Sequence, residues 1–157
     1  MKTNKSYLKI VLSVLFAFIL SGCTDMNTTN DEDLLSLQVE TYVFAVIVLL
    51  VAFAFSVLVS QLIAWQPGTD RSYMKRRIWY IIIGILSSMG FWLYNQFVVM
   101  QTITGDDSVV LKHKFGVTNF ECLSITIGGY VVLGLIVALV FRKSKFATIF
   151  FTNTKIR

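Results

Sequence analysis

Three long apolar segments, separated by short polar ones, dominate the pattern of this sequence. They occupy residues 41–64, 78–100 and 122–141, and none of them contains Asp, Glu, Lys, Arg or His. At about 1.5 Å per residue, each segment is long enough to cross roughly 30 Å of bilayer core as a helix. Because lipid offers the backbone no hydrogen-bonding partner, such segments must be helical. The pattern therefore predicts an all-α membrane protein with three transmembrane helices.

The N-terminal part contains a further apolar run, residues 10–20, which follows three lysines. This run is short for a transmembrane helix but typical of a signal peptide. It ends in Leu20-Ser21-Gly22-Cys23, which resembles the lipobox of bacterial lipoproteins over residues 1–23 only. The resemblance implies lipidation of Cys23 and cleavage just before it. We interpret residues 1–22 as a lipoprotein-like signal peptide or, alternatively, as a signal anchor, which would raise the number of spans from three to four.

Basic residues are concentrated on one side of the predicted membrane. Nine Lys or Arg lie in residues 65–77 and 142–157, whereas only two lie in residues 23–40 and 101–121. Since cytoplasmic segments carry the excess of Lys and Arg, this bias predicts a multi-pass protein of the bacterial inner membrane. Residue 23 is then outside and the C-terminus is cytoplasmic. The basic residues predicted to lie at the inner membrane surface are Arg71, Lys75, Arg76, Arg77, Arg142, Lys143 and Lys145.

Three further parts are predicted to follow the signal segment. They are an acidic extracytoplasmic tether, residues 23–40, a three-helix transmembrane bundle, residues 41–141, and a basic cytoplasmic tail, residues 142–157. Residues 24–33 of the tether have little apolar surface to bury, so we expect them to be flexible. Leu34, Leu35 and Leu37 then lead into the first span as an extra helical turn at the interface. Phenylalanines among the basic residues of the tail suggest attachment to the membrane surface or, alternatively, a docking peptide for a cytoplasmic partner.

Small residues recur at four-residue spacing in the predicted helices, which allows another helix to approach closely. The candidates for helix packing are Ala52, Ser56, Ser60, Ala64, Gly84, Ser88, Gly134 and Ala138. These stripes serve either the packing of the bundle itself or the binding of a partner, and we expect at least one to serve a partner. The strongest polar groups of the spans, Gln61, Asn95 and Gln96, are expected to form interhelical hydrogen bonds.

Side chains able to carry catalysis or to bind a metal are few and lie in or beside the segment 101–121. They are Asp106, Asp107, His113, Glu121 and Cys122. Their spacing matches no zinc or nucleophile pattern, so we expect no enzymatic activity, no metal and no cofactor. Residues 105–107 are typical of a turn in a solvated loop, and Asn119 is a candidate cap of the third helix.

Composition narrows the function class. The chain has 157 residues, of which 55% are hydrophobic and only 15% charged, which excludes an ordinary soluble domain. Its net charge of +5 reflects membrane topology, and we expect no nucleic-acid binding. The sequence favours a non-enzymatic subunit of a larger membrane assembly, of secretion or transport type, which contacts the lipid bilayer and either other subunits or copies of itself.

Three alternatives stay open. A pore former is one, because the chain resembles holins in its three spans, outer N-terminus and basic inner tail. An immunity protein against a membrane-acting toxin is another. An intramembrane enzyme, with His113 and Glu121 as its candidate residues, has the least support.

Overall fold

The computed structural model describes residues 28–63, 72–142 and 144–151, and this part of the chain is helical and contains no β-strand. Its three long helices are α1 (Asp31–Leu62), α2 (Ser72–Phe97) and α3 (Ser108–Val140). All three are long and apolar enough to cross a membrane. Short 3₁₀ segments, Val99–Thr102 and Phe146–Ile149, follow α2 and α3. The predicted signal segment and Cys23 lie outside the described residues.

Helix α1 begins well before the first apolar segment. Acidic residues occupy its first turn, Asp31 to Asp33, where negative charge interacts favourably with the helix dipole. The Thr29 backbone N–H donates a hydrogen bond to the Asp33 carboxylate at 3.4 Å. Leu34 and Leu37 are buried against other elements. The prediction of a flexible stretch over residues 24–33 is therefore wrong for residues 31–33, which are helical. The extra helical turn expected at Leu34, Leu35 and Leu37 is present, because Leu34 and Leu37 have a core to join.

Helix α3 likewise begins at Ser108 instead of residue 122. The turn that precedes it lies at the predicted position, and Gly105 adopts a φ of 113°, which favours glycine. Leu111 and Phe115, four residues apart, face the core and are buried. The predicted solvated loop is thus helical over residues 108–121. Asn119 is buried inside the helix and does not cap it.

The core of the bundle consists of three clusters that follow one another along its length. The cluster at the end that carries the acidic residues contains Leu34, Leu37, Ile103, Leu111 and Phe115. A small middle cluster contains Ala45, Phe91 and Cys122. The cluster at the opposite end contains Ala52, Tyr80, Ile83, Tyr130, Ala138, Phe146, Ala147 and Ile149. Every pair of long helices is in contact, so the helices form one bundle.

At the end that carries the acidic residues, the bundle extends beyond the apolar spans. We call this part the acidic cap, and it comprises residues 28–40 and 101–121. Two backbone hydrogen bonds close it, from Thr28 N–H to the Thr102 carbonyl and from Thr104 N–H to the Thr28 carbonyl, each 3.1 Å long. The Lys114 ammonium lies 2.8 Å from the Asp31 carboxylate. At the base of the cap, the Tyr42 hydroxyl donates to Glu121 at 2.5 Å. At about 1.5 Å per residue, α1 and α3 extend roughly 15–20 Å beyond the apolar spans.

Candidate functional site

The side chains considered for catalysis are dispersed over the acidic cap. Glu121 accepts its hydrogen bond from Tyr42, whereas His113 is exposed on another side of α3. Asp106 and Asp107 lie in the turn before that helix. In the part of the chain that the structure describes, no three His, Cys, Asp or Glu side chains come close enough to hold a metal ion. The features that carry a functional argument are therefore surfaces and helix contacts.

The small residues proposed for helix packing face the inside of the bundle. Ala52, Ser56, Ser60, Ser88, Gly134 and Ala138 are buried, Gly84 is half-buried, and Ala64 lies outside the described residues. Their burial occurs against elements of this same chain. These stripes thus form close contacts inside the bundle, and their buried members are not accessible to a partner.

Two of these glycines accommodate tyrosine rings. Tyr80 on α2 and Tyr130 on α3 stack with ring centroids 4.4 Å apart. A β-carbon at Gly84 would lie 2.6 Å from Cε1 of Tyr130, and one at Gly134 would overlap the Tyr80 hydroxyl. Glycine is therefore required at both positions because an aromatic ring occupies the space of a methyl group.

Among the polar side chains, Asn95 and Asn119 face inward, whereas Gln61 is exposed and Gln96 is half-buried. Asn95 on α2 donates a hydrogen bond from Nδ2 to Oδ1 of Asn119 on α3, at 3.1 Å, and both residues are buried. Nδ2 of Asn119 in turn donates to the Trp92 carbonyl at 3.4 Å. Asn95 thus makes the interhelical hydrogen bond expected of it. Its partner was missed because the sequence places Asn119 in a predicted loop.

Arg76 occupies a different place from the one that the charge pattern predicts. Its side chain is 1% exposed and points into the bundle instead of toward the membrane surface. Its guanidinium donates to Thr148 Oγ1 and to the Ile63 carbonyl, both at 3.1 Å. Arg76 therefore joins the end of α1 to the C-terminal segment, because buried guanidinium groups require hydrogen-bond acceptors.

The other basic candidates are more accessible. Lys75 and Arg142 are exposed, and Arg77 and Lys145 are half-buried; Arg71 and Lys143 lie outside the described residues. Nε of Arg77 donates to the Ile149 carbonyl at 2.8 Å, so this side chain also contacts the C-terminal segment. Of the described candidates, Lys75 and Arg142 are therefore the most available to lipid headgroups.

The C-terminal tail packs into the bundle. Phe146, Ala147 and Ile149 are buried, and the Phe146 ring lies edge-on to Tyr80 with centroids 5.9 Å apart. The side chains of Phe146, Ala147 and Ile149 are therefore taken up by the bundle, while attachment of the tail to the membrane surface and docking to a cytoplasmic partner stay predictions. The apolar residues of the tail contact all three long helices of the same chain, including Phe53 on α1.

The described part of the bundle carries open grooves, among them one beside the apolar spans and one on the acidic cap. One is an apolar groove of about 170 Å³ between α1 and α2, lined by residues such as Phe44, Val48, Gly90 and Tyr94. It lies at the level of the apolar spans, where lipid chains cover apolar surface. The other is a wider groove of about 600 Å³ on the acidic cap, which we call the cap groove. It is lined by Asp31, Leu34, Leu35, Gln38, His113, Lys114, Val117 and Thr118.

Apolar side chains continue from the cap groove along the outer side of α3. We call Val109, Val110, Val117 and Phe120 the cap stripe; all four are more than half exposed. Val110, His113 and Val117 share one face of the helix because they are three and four residues apart. The sequence contained this signal, but the assignment of residues 101–121 to a loop concealed the helical period.

Comparisons with known proteins give no relative of this chain. No protein-family model matches it, and neither the curated proteins nor the solved structures contain a significant match. Functional inference therefore rests on the geometry of these residues.

Proposed function

We propose that this chain is a non-enzymatic subunit of a larger assembly in the bacterial cytoplasmic membrane, of the kind that forms a secretion or transport apparatus. One observation carries the proposal, namely the apolar surface on the acidic cap. Val109, Val110 and Val117 are 79%, 55% and 51% exposed, although they lie beyond the charge-free spans. Exposed apolar patches outside the bilayer mark sites of protein interaction.

In this proposal the acidic cap lies outside the cell and the basic end lies in the cytoplasm. The cap carries seven carboxylates and two lysines, whereas four of the predicted inner basic residues, Lys75, Arg76, Arg77 and Lys145, lie at or beside the opposite end of the bundle. The bias of Lys and Arg toward the cytoplasm supports this orientation. A lipid on Cys23 would enter the outer leaflet close to the cap, since Thr28 is bonded to the cap only a few residues later.

The small-residue stripes do not support the binding of a partner. Ser56, Ser88 and Ala138 are buried within the chain, so close helix contacts are already satisfied internally. The exposed apolar surface of the cap supports the binding of a partner instead. A partner is expected to bind where apolar side chains meet water, and not through a glycine-rich helix face within the bilayer.

The pore-forming alternative has less support. A pore built from several copies requires a polar face on the outside of each bundle, which can line water after assembly. In the described spans the hydrogen-bonding side chains of Asn95 and Thr126 are buried. The exposed positions are mostly Val, Ile, Leu and Phe. Such a surface suits lipid better than a water-filled channel.

An immunity protein is a second candidate, favoured by the same exposed surface of the cap. In the proposed orientation, a toxin that approaches the membrane from outside meets the cap before it reaches the spans. Co-expression of this chain with the product of the neighbouring gene tests this function. Protection that is lost with the double variant Leu35→Gln/Val117→Gln supports it, and absence of any protection rejects it.

Native mass spectrometry of the protein, extracted gently from its own membrane at natural abundance, tests the proposed function. We expect a defined complex with other chains, and a subunit mass that reports cleavage and acylation at Cys23. A ladder of self-oligomers without other chains favours the pore former instead. A lone monomer contradicts the proposal.

A further inference from the structure

The part of α3 within the acidic cap is apolar on two opposite sides. Leu111 and Phe115 face the core and are buried. The cap stripe covers the outer side and is exposed, and the exposed His113 lies beside it on the same side of the helix. Three valines and a phenylalanine are side chains that proteins normally bury. The cap stripe therefore has the composition of a covered surface.

The cap groove extends this apolar surface from α3 onto α1. Leu35 from α1 and Val117 from α3 line it together, beside Gln38 and Thr118. Leu35 is 62% exposed, so its side chain is available to a ligand. A polypeptide segment that lies along the groove would contact both helices at once.

Charge decides which occupant suits this surface. The acidic cap carries Asp31, Glu32, Asp33, Glu40, Asp106, Asp107 and Glu121, against Lys112 and Lys114, for a net charge of −5. Lys114 already pairs with Asp31. Two copies of such a cap repel each other, as do the cap and an anionic lipid surface. A positively charged partner is attracted, and electrostatic complementarity supplies both orientation and association rate.

We infer that the cap groove and the cap stripe bind a cationic polypeptide segment that carries apolar side chains along one face. This inference rests on the proposed function, because it names the chemistry of the partner that the subunit docks. Apolar side chains of the segment cover Leu35, Val117 and Val110, while its Lys or Arg residues are attracted by the net charge of −5 that the acidic cap carries.

A peptide-binding measurement tests the inference. The full chain is placed in nanodiscs of zwitterionic phosphatidylcholine, and a fluorescein-labelled helical peptide of Leu and Lys is titrated in, with empty nanodiscs as the blank. A peptide with Glu in place of Lys is the matched probe. We expect the Lys peptide to bind at least about tenfold more tightly than the Glu peptide, and to lose affinity as salt increases.

Variants locate the binding surface. The double variant Leu35→Gln/Val117→Gln removes apolar area from the groove without changing charge, and we expect about tenfold weaker binding. Val39→Gln is the matched control, because Val39 is also 62% exposed but does not line the groove. Thermal unfolding of each variant confirms that it is folded. Equal binding of the two peptides, no binding of the Lys peptide, or unchanged affinity of the double variant overturns the inference.

The same double variant separates this inference from the proposed function. Native mass spectrometry of Leu35→Gln/Val117→Gln is expected to show loss of the partner mass that the wild-type chain carries. If the complex persists in the variant, the chain is a subunit but the cap groove is not its docking surface. If the wild-type chain carries no partner, the proposed function itself fails.

Discussion

The Tyr80 hydroxyl donates a hydrogen bond to the Tyr130 carbonyl at 2.7 Å, and the Tyr130 hydroxyl donates one to the Tyr80 carbonyl at 2.9 Å. In each helix a glycine follows four residues later and leaves room for the ring of the other tyrosine. The antiparallel helices α2 and α3 thus meet in a locally two-fold arrangement. A shift by one helical turn, about 5.4 Å, breaks both hydrogen bonds, so the tyrosine pair fixes the register of the two helices.

Removal of either hydroxyl is expected to destabilise the bundle modestly. Tyr80→Phe and Tyr130→Phe each lose one interhelical hydrogen bond, and such bonds contribute about 0.5–1.5 kcal/mol in membrane proteins. Equilibrium unfolding in mixed micelles with increasing dodecyl sulfate measures the change. Tyr73→Phe is the matched control, since Tyr73 is only half-buried and does not take part in this pair. Equal effects at all three positions would contradict the assigned role.

A methyl group at Gly134 is expected to cost far more than one at Gly128. At Gly134 the β-carbon overlaps the Tyr80 hydroxyl and lies 2.8 Å from Cζ of that ring, whereas at Gly128 it meets nothing within 4 Å. We expect Gly134→Ala to reduce the free energy of unfolding by about 1–3 kcal/mol and Gly128→Ala to be near neutral. The unfolding assay compares the two variants, and addition of Tyr80→Phe to Gly134→Ala should recover part of the loss.

Because Asn95 and Asn119 share a hydrogen bond, substitutions of these two residues are expected to have coupled effects on the free energy of unfolding. Asn95→Ala removes the donor to Asn119 Oδ1 and leaves a buried carbonyl without that partner. A double-mutant cycle with Asn119→Ala should give a coupling free energy of about 0.5–1.5 kcal/mol. Ser124→Ala, at an exposed position of α3, is the control and should not couple with Asn95→Ala. Additive effects of the two asparagine variants would count against this contact.

Loss of Arg76 is expected to release the C-terminal segment. Arg76→Gln weakens the contacts to Thr148 and Ile63, so residues 146–149 should open more often. We expect trypsin to cleave after Lys145 about tenfold faster, or more, than in the wild-type chain. Lys75→Gln is the matched control, because it removes one positive charge from an exposed position in the same turn. Mass spectrometry follows the cleavage, and a wild-type rate for Arg76→Gln would show that Arg76 does not hold the C-terminal segment in place.

The apolar spans were predictable from the sequence because the absence of charge over about twenty residues is visible in one dimension. The helical cap was not found in this way, since Lys112, Lys114 and Glu121 interrupt the apolar composition. The helical period nevertheless continues through them. Leu111, Phe115, Thr118 and Cys122 are all buried, at the spacing of one helix face. A search for the helical spacing of apolar residues, instead of for the absence of charged residues, indicates that α3 begins well before residue 122.

The position of Arg76 could not be predicted from local pattern. Its acceptor Thr148 is 72 residues away in the chain, and burial of the guanidinium depends on the folded tail. The bias of Lys and Arg toward the cytoplasm predicts that Arg76 lies at the membrane surface, because most basic residues beside a span are solvated. The small-residue spacing did indicate Gly84 and Gly134. It did not indicate that they face tyrosine rings, which the distance between the helices decides.

The two backbone hydrogen bonds of Thr28 determine which part of the described fold is the first to resist a pulling force on the N-terminal side. Tension applied from the N-terminal side enters the fold at Thr28, beside residues 102–104 of the connection between α2 and α3. That connection shares the force before the first turn of α1 is pulled apart. Cys23 precedes Thr28 by five residues, a reach of about 17 Å at full extension. If Cys23 carries the proposed lipid, tension on the cap is therefore transmitted to the bilayer through these few residues.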